Sequence, residues 1–226
     1  MFKQYDATNF FDAFDFFTEA DPTHGAVQYV DDFRLYNNKS GTIYLGVDSD
    51  SAETGAVRSL RAEMKDHYTD GLYVLDLLHQ PTTNDGTGCS VWPAYWMYNR
   101  RPGNQWPKGG EIDMLEGAND MGMNQVSLHT TWFCNMDGLA GGEYSSLCGS
   151  SQCNVFAEGS GSGGCSLCTN WDTSTFGSEL NKKGGGYLVT EVDTSRHIRQ
   201  WWIVRDGDKA LIEIVKQSKV KTEDLG

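Results

Sequence analysis

Nowhere along the 226 residues does an apolar run approach the length of a bilayer span. Positive charge is scarce as well. Eighteen Lys and Arg stand against 31 Asp and Glu, a formal charge of −13, which argues against nucleic acid and anionic membrane as partners. The opening stretch Met1-Phe2-Lys3-Gln4-Tyr5-Asp6 has neither the basic start nor the apolar run of a secretory signal. Helical periodicity is nearly absent, which leaves strands as the main carriers of a core. No internal repeat is present. The Gly-rich stretch 159–164 lacks the strand–loop–helix context of a phosphate cradle, so it reads as loop.

What remains has the pattern of an all-β chain. Thr42 to Val47, Gly71 to Leu78 and His197 to Val204 have the apolar and aromatic content of strands, with Gly, Asp and Asn between them. Short strands separated by turns point to a sandwich of antiparallel sheets, and the length suits one undivided domain, 1–226. Six cysteines in 25.1 kDa point to an oxidising compartment. The sequon Asn38-Lys39-Ser40 points the same way, so the protein is expected to be extracellular. Cys148, Cys153, Cys165 and Cys168 have a spacing close to that of a four-cysteine zinc site. The four-residue gap between Cys148 and Cys153 argues against zinc, as do two further cysteines, Cys89 and Cys134, available for pairing. Disulfides and no metal are therefore expected, with the pairing left open among fifteen combinations. Residues 134–186 are rich in Cys, Gly and Ser and read as a disulfide-pinned surface excursion.

The densest chemistry lies in Glu111-Ile112-Asp113-Met114-Leu115-Glu116. Three carboxylates interleaved with Ile, Met and Leu do not form an ordinary solvated charge run. On a strand, Glu111 and Asp113 share a face while Ile112 points to the other layer. Glu116 has the wrong parity. One extra residue around Met114-Leu115, a β-bulge, restores it and turns Glu116 beside its partners. Two carboxyls on one sheet face are the equipment of glycoside hydrolysis. Trp92, Trp96 and Trp106 precede this strand and offer flat apolar rings for sugar C–H faces. Trp92 is expected in the core.

The hexapeptide resembles the bulged E-[ILV]-D-x-x-E signature of glycoside hydrolase family 16. Trp92-Pro93-Ala94-Tyr95-Trp96, Trp106-Pro107-Lys108-Gly109-Gly110, Gly117-Ala118-Asn119-Asp120 and Asn124 to Thr131 flank it in that family's order, as do Phe14 to Phe17 and Asp21 to Gly25 near the start. The likeness covers about residues 5–205 and is to the fungal laminarinase and endo-1,3(4)-β-glucanase branch. It implies a curved antiparallel β-sandwich, a concanavalin-like jelly roll. It also implies a monomer acting without a cofactor on β-glucan, by hydrolysis that retains configuration. Glu111 is then the nucleophile, Glu116 the acid/base, and Asp113 the residue between them. Trp96, Trp106, His129, Asn119 and Glu191 are the implied substrate-binding residues, and Arg61 is a weaker candidate. Beyond Val204-Arg205 the tail Lys209 to Lys221 does not match the family pattern, so the domain reads as C-terminally incomplete relative to it. That tail suits either one strand or a short amphipathic helix.

Overall fold

A computed structural model describes residues 2–48, 56–82, 90–119, 121–137, 145–157, 163–169, 174–217 and 219–225. Cys89, Asp120 and most of the Gly-rich stretch 159–164 lie outside them. The chain divides into two compact units, Met1–Thr69 and Asp70–Gly226.

The first unit holds a short helix α1 (Phe10–Ala13) and six short strands: β1 (Phe14–Phe16), β2 (Val27–Tyr29), β3 (Tyr36–Asn37), β4 (Tyr44–Leu45), β5 (Val57–Ser59) and β6 (Ala62–Met64). They pair two by two. β1 with β6 and β3 with β4 are antiparallel, and β2 with β5 is parallel. Rings do much of the packing here. Phe10 stacks on Phe14 and Phe16 on Tyr36 at centroid separations of 4.2 and 4.4 Å. Arg61 is neither solvated nor free in this unit. It pairs with Glu63 at 2.8 Å and lies over the Phe17 ring.

The second unit contains β7 (Gly71–Leu77), β8 (Ala94–Tyr98), β9 (Glu111–Glu116), β10 (Gln125–His129), β11 (Ser145–Leu147), β12 (Cys165–Thr169), helix α2 (Gly177–Lys182), β13 (Gly186–Asp193), β14 (His197–Val204) and helix α3 (Lys209–Val215). One sheet has the order β14-β13-β7, the other β11-β12-β10-β9-β8, and every pairing in both is antiparallel. They face each other across Met114, Leu115, Phe176 and Leu188, joined by Tyr73, Leu75, Leu77, Tyr95, Met97, Ile112 and Trp202. Each large side chain buried in that layer contributes about 1.5–3 kcal/mol. β13 is buried along almost its whole length because both its faces are covered. Its far face carries Tyr187 and Val189, packed with Ile203, Ile212, Val215 and Leu225.

The ambiguous tail is resolved as a helix. Asp208 caps α3 by accepting from the Ala210 amide at 2.7 Å. Ile212 and Val215, three apart, share the buried stripe that lies on the three-stranded sheet.

The region 134–186 carries the expected disulfides, Cys148–Cys168 and Cys153–Cys165. With those sulfurs bonded to one another, the four-cysteine zinc arrangement is ruled out. The same region also supplies β11, β12 and α2. β12 escapes a pattern reading because Cys165, Ser166 and Cys168 are buried through cross-links and small volume rather than through large apolar side chains.

Candidate active site

β9 is the strand on which the site is built. Against β8, Leu115 pairs with Tyr95 but Asp113 with Trp96; against β10, Glu116 pairs with Gln125 but Asp113 with Ser127. Two residues, Met114 and Leu115, thus oppose the single Val126. The register shift sits where parity demands one. Met114 and Leu115 both enter the inter-sheet core, and Glu116 returns to the face that carries Asp113.

Cross-strand partners point to the same side, which orients the whole set. Ser127, opposite Asp113, lies 3.2 Å through its Oγ from Glu116 Oε2. His129, opposite Glu111, places Nε2 3.0 Å from Asp113 Oδ2 and 3.6 Å from Glu111 Oε1. The contact to Asp113 is a close approach rather than an aligned hydrogen bond. Three carboxylates and one imidazole therefore share a face whose reverse side is packed core. Glu111, Asp113 and His129 each offer a ligand atom within 4.8 Å of the others, a set that could hold a cation. It is also the set that a nucleophile held by a neighbouring acid and a histidine needs.

Asn124 and Gln200 lock the bulge. The Met114 carbonyl, which the bulge leaves without a regular ladder partner, accepts from Asn124 Nδ2 at 2.9 Å and Gln200 Nε2 at 2.7 Å. The Glu116 amide donates to Asn124 Oδ1 at 3.0 Å. Asn124 is fully buried, and its own amide donates to Thr175 Oγ1 at 2.9 Å. One side chain thus satisfies both backbone groups that the extra residue would orphan. Glycines finish the strand at its ends. Gly110 adopts φ +79° just before Glu111. A Cβ on Gly117 would meet the Phe176 ring at 2.7 Å.

Glu116 is held above the ordinary glutamate range. Burial is the main cause and the nearby Asp113 charge the second; hydrogen bonds from Ser127 and Trp92 oppose the shift. An acid biased toward its neutral form beside two further carboxylates is the asymmetry that acid/base catalysis uses.

The aromatic residues distribute as follows. Trp96, opposite Asp113, is on the acidic face and stacks on Tyr98 at 5.0 Å. Trp106 is exposed with its ring 6.1 Å from the His129 ring. Trp92 is not in the core: it is 68% exposed, and its Nε1 donates to Glu116 Oε1 at 3.1 Å. Trp92 precedes β8 and reaches the site from a loop. Asn119, at φ +58°, accepts from the Ser90 amide through Oδ1 and donates its own amide to the Val91 carbonyl, each at 2.9 Å. It fixes the loop that presents Trp92. Glu191 is not brought to this face. It lies on β13 with the parity of Tyr187 and Val189, on the α3 side of the other sheet, and its Oε2 is 2.8 Å from His197 Nε2. The whole inter-sheet core separates that side from β9. Ser127, Asn124, Gln200 and Thr175 are site-supporting residues that spacing does not reveal, because each acts through a partner distant in sequence.

The comparisons with known proteins come to the same place. The family profile described as "XgeA-like, catalytic GH16 domain" matches residues 14–225, and the chain belongs to glycoside hydrolase family 16. It is 36% identical over 210 residues to a Schizosaccharomyces pombe protein named "Probable glycosidase C21B10.07", covering 91% of this chain and 47% of that one. With the "Endo-1,3(4)-beta-glucanase xgeA" of Emericella nidulans it shares 35% identity over 206 residues, covering 86% and 30%. The chain thus spans less than half the length of these relatives. Among solved structures, GH16 Laminarinase 16A from Phanerochaete chrysosporium, with two β-glucans (6-O-glucosyl-laminaritriose) in both donor and acceptor sites, superposes with a TM-score of 0.84 at 27% identity, covering 99% of this chain and 74% of that one. An elongating GH family 16 β-1,3-glucosyltransferase superposes at 0.77 and 31% identity, covering 94% and 69%. The fold is the jelly-roll β-sandwich of those laminarinases.

Proposed function

We propose that this chain is a retaining endo-β-glucanase domain acting on β-1,3- or mixed β-1,3/1,4-glucan. The observation that carries the reading is the bulge in β9, which puts Glu111, Asp113 and Glu116 on one face with Glu116 biased toward its protonated form. The ionised Glu111 attacks the anomeric carbon, and the departing sugar oxygen takes the Glu116 proton. A covalent glycosyl ester on Glu111 results. Glu116, now ionised, takes a proton from water, whose oxygen displaces Glu111 and restores both groups. Asp113 and His129 hold the nucleophile, and Trp96, opposite Asp113, and Trp106, beside His129, bind sugar rings. The names of the matched relatives support β-glucan as the substrate class. The two disulfides support an extracellular setting. We read 1–226 as one catalytic domain, because the family match runs through both compact units, and propose that it acts as a monomer.

The test is reducing-sugar release from laminarin, lichenan and a pure β-1,4-glucan, with the anomeric form of the first product read by NMR. Release from the first or second substrate with β-product is expected. Inverted product, or release from the β-1,4-glucan alone, would overturn the reading. The likeness to a glucosyltransferase favours a second outcome on the same face. If a sugar hydroxyl replaces water in the second step, products longer than the starting oligosaccharide appear.

A further inference from the structure

Beyond His129 the chain leaves three large rings in solvent. Trp132 is 66% exposed, Phe133 99% and Phe156 59%. Trp132 and Phe156 form a tilted pair with centroids 6.3 Å apart. Soluble proteins seldom expose apolar rings together unless something binds there. Phe133 also adopts φ +72°, a conformation that a bulky residue holds only when the surroundings impose it, and such outliers gather at binding sites.

The frame beneath the rings is built rather than loose. The Thr130 amide donates to the Cys153 carbonyl at 2.8 Å, the Val155 amide to the Thr130 carbonyl at 3.1 Å, and the Met136 amide to the Ser151 carbonyl at 2.7 Å. Residues 130–136 are thereby zipped to residues 151–155, and Cys153 is bonded to Cys165 on β12. Phe156 is further fixed by its amide, which donates to Asn154 Oδ1 at 3.1 Å. A pair held this way binds with little ordering cost.

The platform, through Trp132, follows His129 closely along the chain. Trp106 meets His129, and three residues of chain place the Trp132 Cα within about 11 Å of the His129 Cα. We propose that Trp132 and Phe156 form an additional carbohydrate subsite, a stacking platform for a β-glucan chain that extends beyond the glucose units at the acidic face. This rests on the glucanase reading. An uncharged glucan suits the surface because it asks for apolar ring faces and meets no repulsion from a chain with a formal charge of −13.

The experiment uses the full chain and the variants Trp132→Ala, Phe156→Ala and Trp132→Phe. It measures kcat/KM on laminarin against laminaritetraose, and retention on insoluble curdlan. The ratio of long to short substrate is expected to fall about threefold to tenfold in each alanine variant, chiefly through KM, with retention falling alongside and Trp132→Phe recovering most of both. Alanine variants with wild-type ratio and wild-type retention overturn the platform while leaving the glucanase reading standing. If the wild type cleaves no glucan, the glucanase reading fails and retention alone decides the platform. Loss of curdlan binding in Trp132→Ala then supports it, and equal retention, or none by the wild type, overturns it. Wild-type binding to lipid vesicles but not to curdlan overturns it as well.

Discussion

The two sheets of the second unit each pair an acid with a histidine, and only one of them carries the bulge of the candidate site. On the three-stranded sheet, Glu191 and His197 meet at 2.8 Å in a ladder whose register never breaks: eight residues of β13 pair in step with β14 and seven with β7. On the five-stranded sheet, Asp113 and His129 meet at 3.0 Å, but the register breaks on both sides of β9. The regular ladder can offer acids only at alternate positions along one strand. The broken one adds Glu116 to the face that carries Asp113, where burial and the Asp113 charge raise it. A charge pair alone stabilises weakly, whereas a bulge gathers like charges that a regular strand would keep apart. The irregularity, rather than the acid–histidine contact, is what distinguishes the candidate site.

That comparison can be broken in order of effect. Glu111→Gln is expected to reduce kcat on laminarin by at least about 1,000-fold while leaving the circular dichroism and melting of the wild type. Residual activity within tenfold of wild type would remove the nucleophile assignment. Asn124→Ala attacks the bulge without touching a carboxylate. It orphans the Glu116 amide, so a stability loss of about 1–3 kcal/mol is expected in urea titration. A fall in kcat of about 10- to 100-fold should accompany it, as the acid drifts from its position.

The next test reads the acid itself. In the proposed mechanism Glu116 acts as a protonated acid, so the alkaline limb of kcat/KM is expected to report its raised titration. Asp113→Asn removes a charge that raises Glu116 and is expected to move that limb to lower pH. Trp92→Phe removes a hydrogen bond that favours the carboxylate, and is expected to move it to higher pH. A shift of the same sign in both variants would contradict the assignment. Linkage adds a stability readout. Because folding raises Glu116 above its unfolded value, its ionisation destabilises the fold as pH rises from the ordinary glutamate range through the raised one. Glu116→Gln is therefore expected to gain melting temperature over the wild type on going from pH 4 to pH 8. On the regular sheet, Glu191→Gln is expected to change stability by less than about 1 kcal/mol and kcat by less than about twofold. A large loss of activity there would blur the contrast between the sheets.

Much of the site was legible before any coordinates. Glu111, Asp113 and Ile112 follow from alternation, and the odd spacing of Glu116 demands an extra residue near Met114-Leu115, where the register shift is found. The strand His197–Val204 begins and ends where its composition changes. Other parts were not legible. Trp92 looks like any other Trp until the loop held by Asn119 delivers it to Glu116. Glu191 looks like a cleft residue until β13 is seen with both faces covered. β12 has Leu167 as its one large apolar side chain, and its buried positions are Cys165, Ser166 and Cys168, with the two cysteines held by disulfides.

By itself the sequence determined which acids could act together, because side-chain parity along a strand is a local property of the backbone. It also determined the family, through motifs kept in order. Which sulfurs join, which face Glu191 occupies and which amides hold the bulge were decided only by the tertiary structure. Those contacts join residues as far apart as Met114 and Gln200, and no local pattern specifies a partner at that separation.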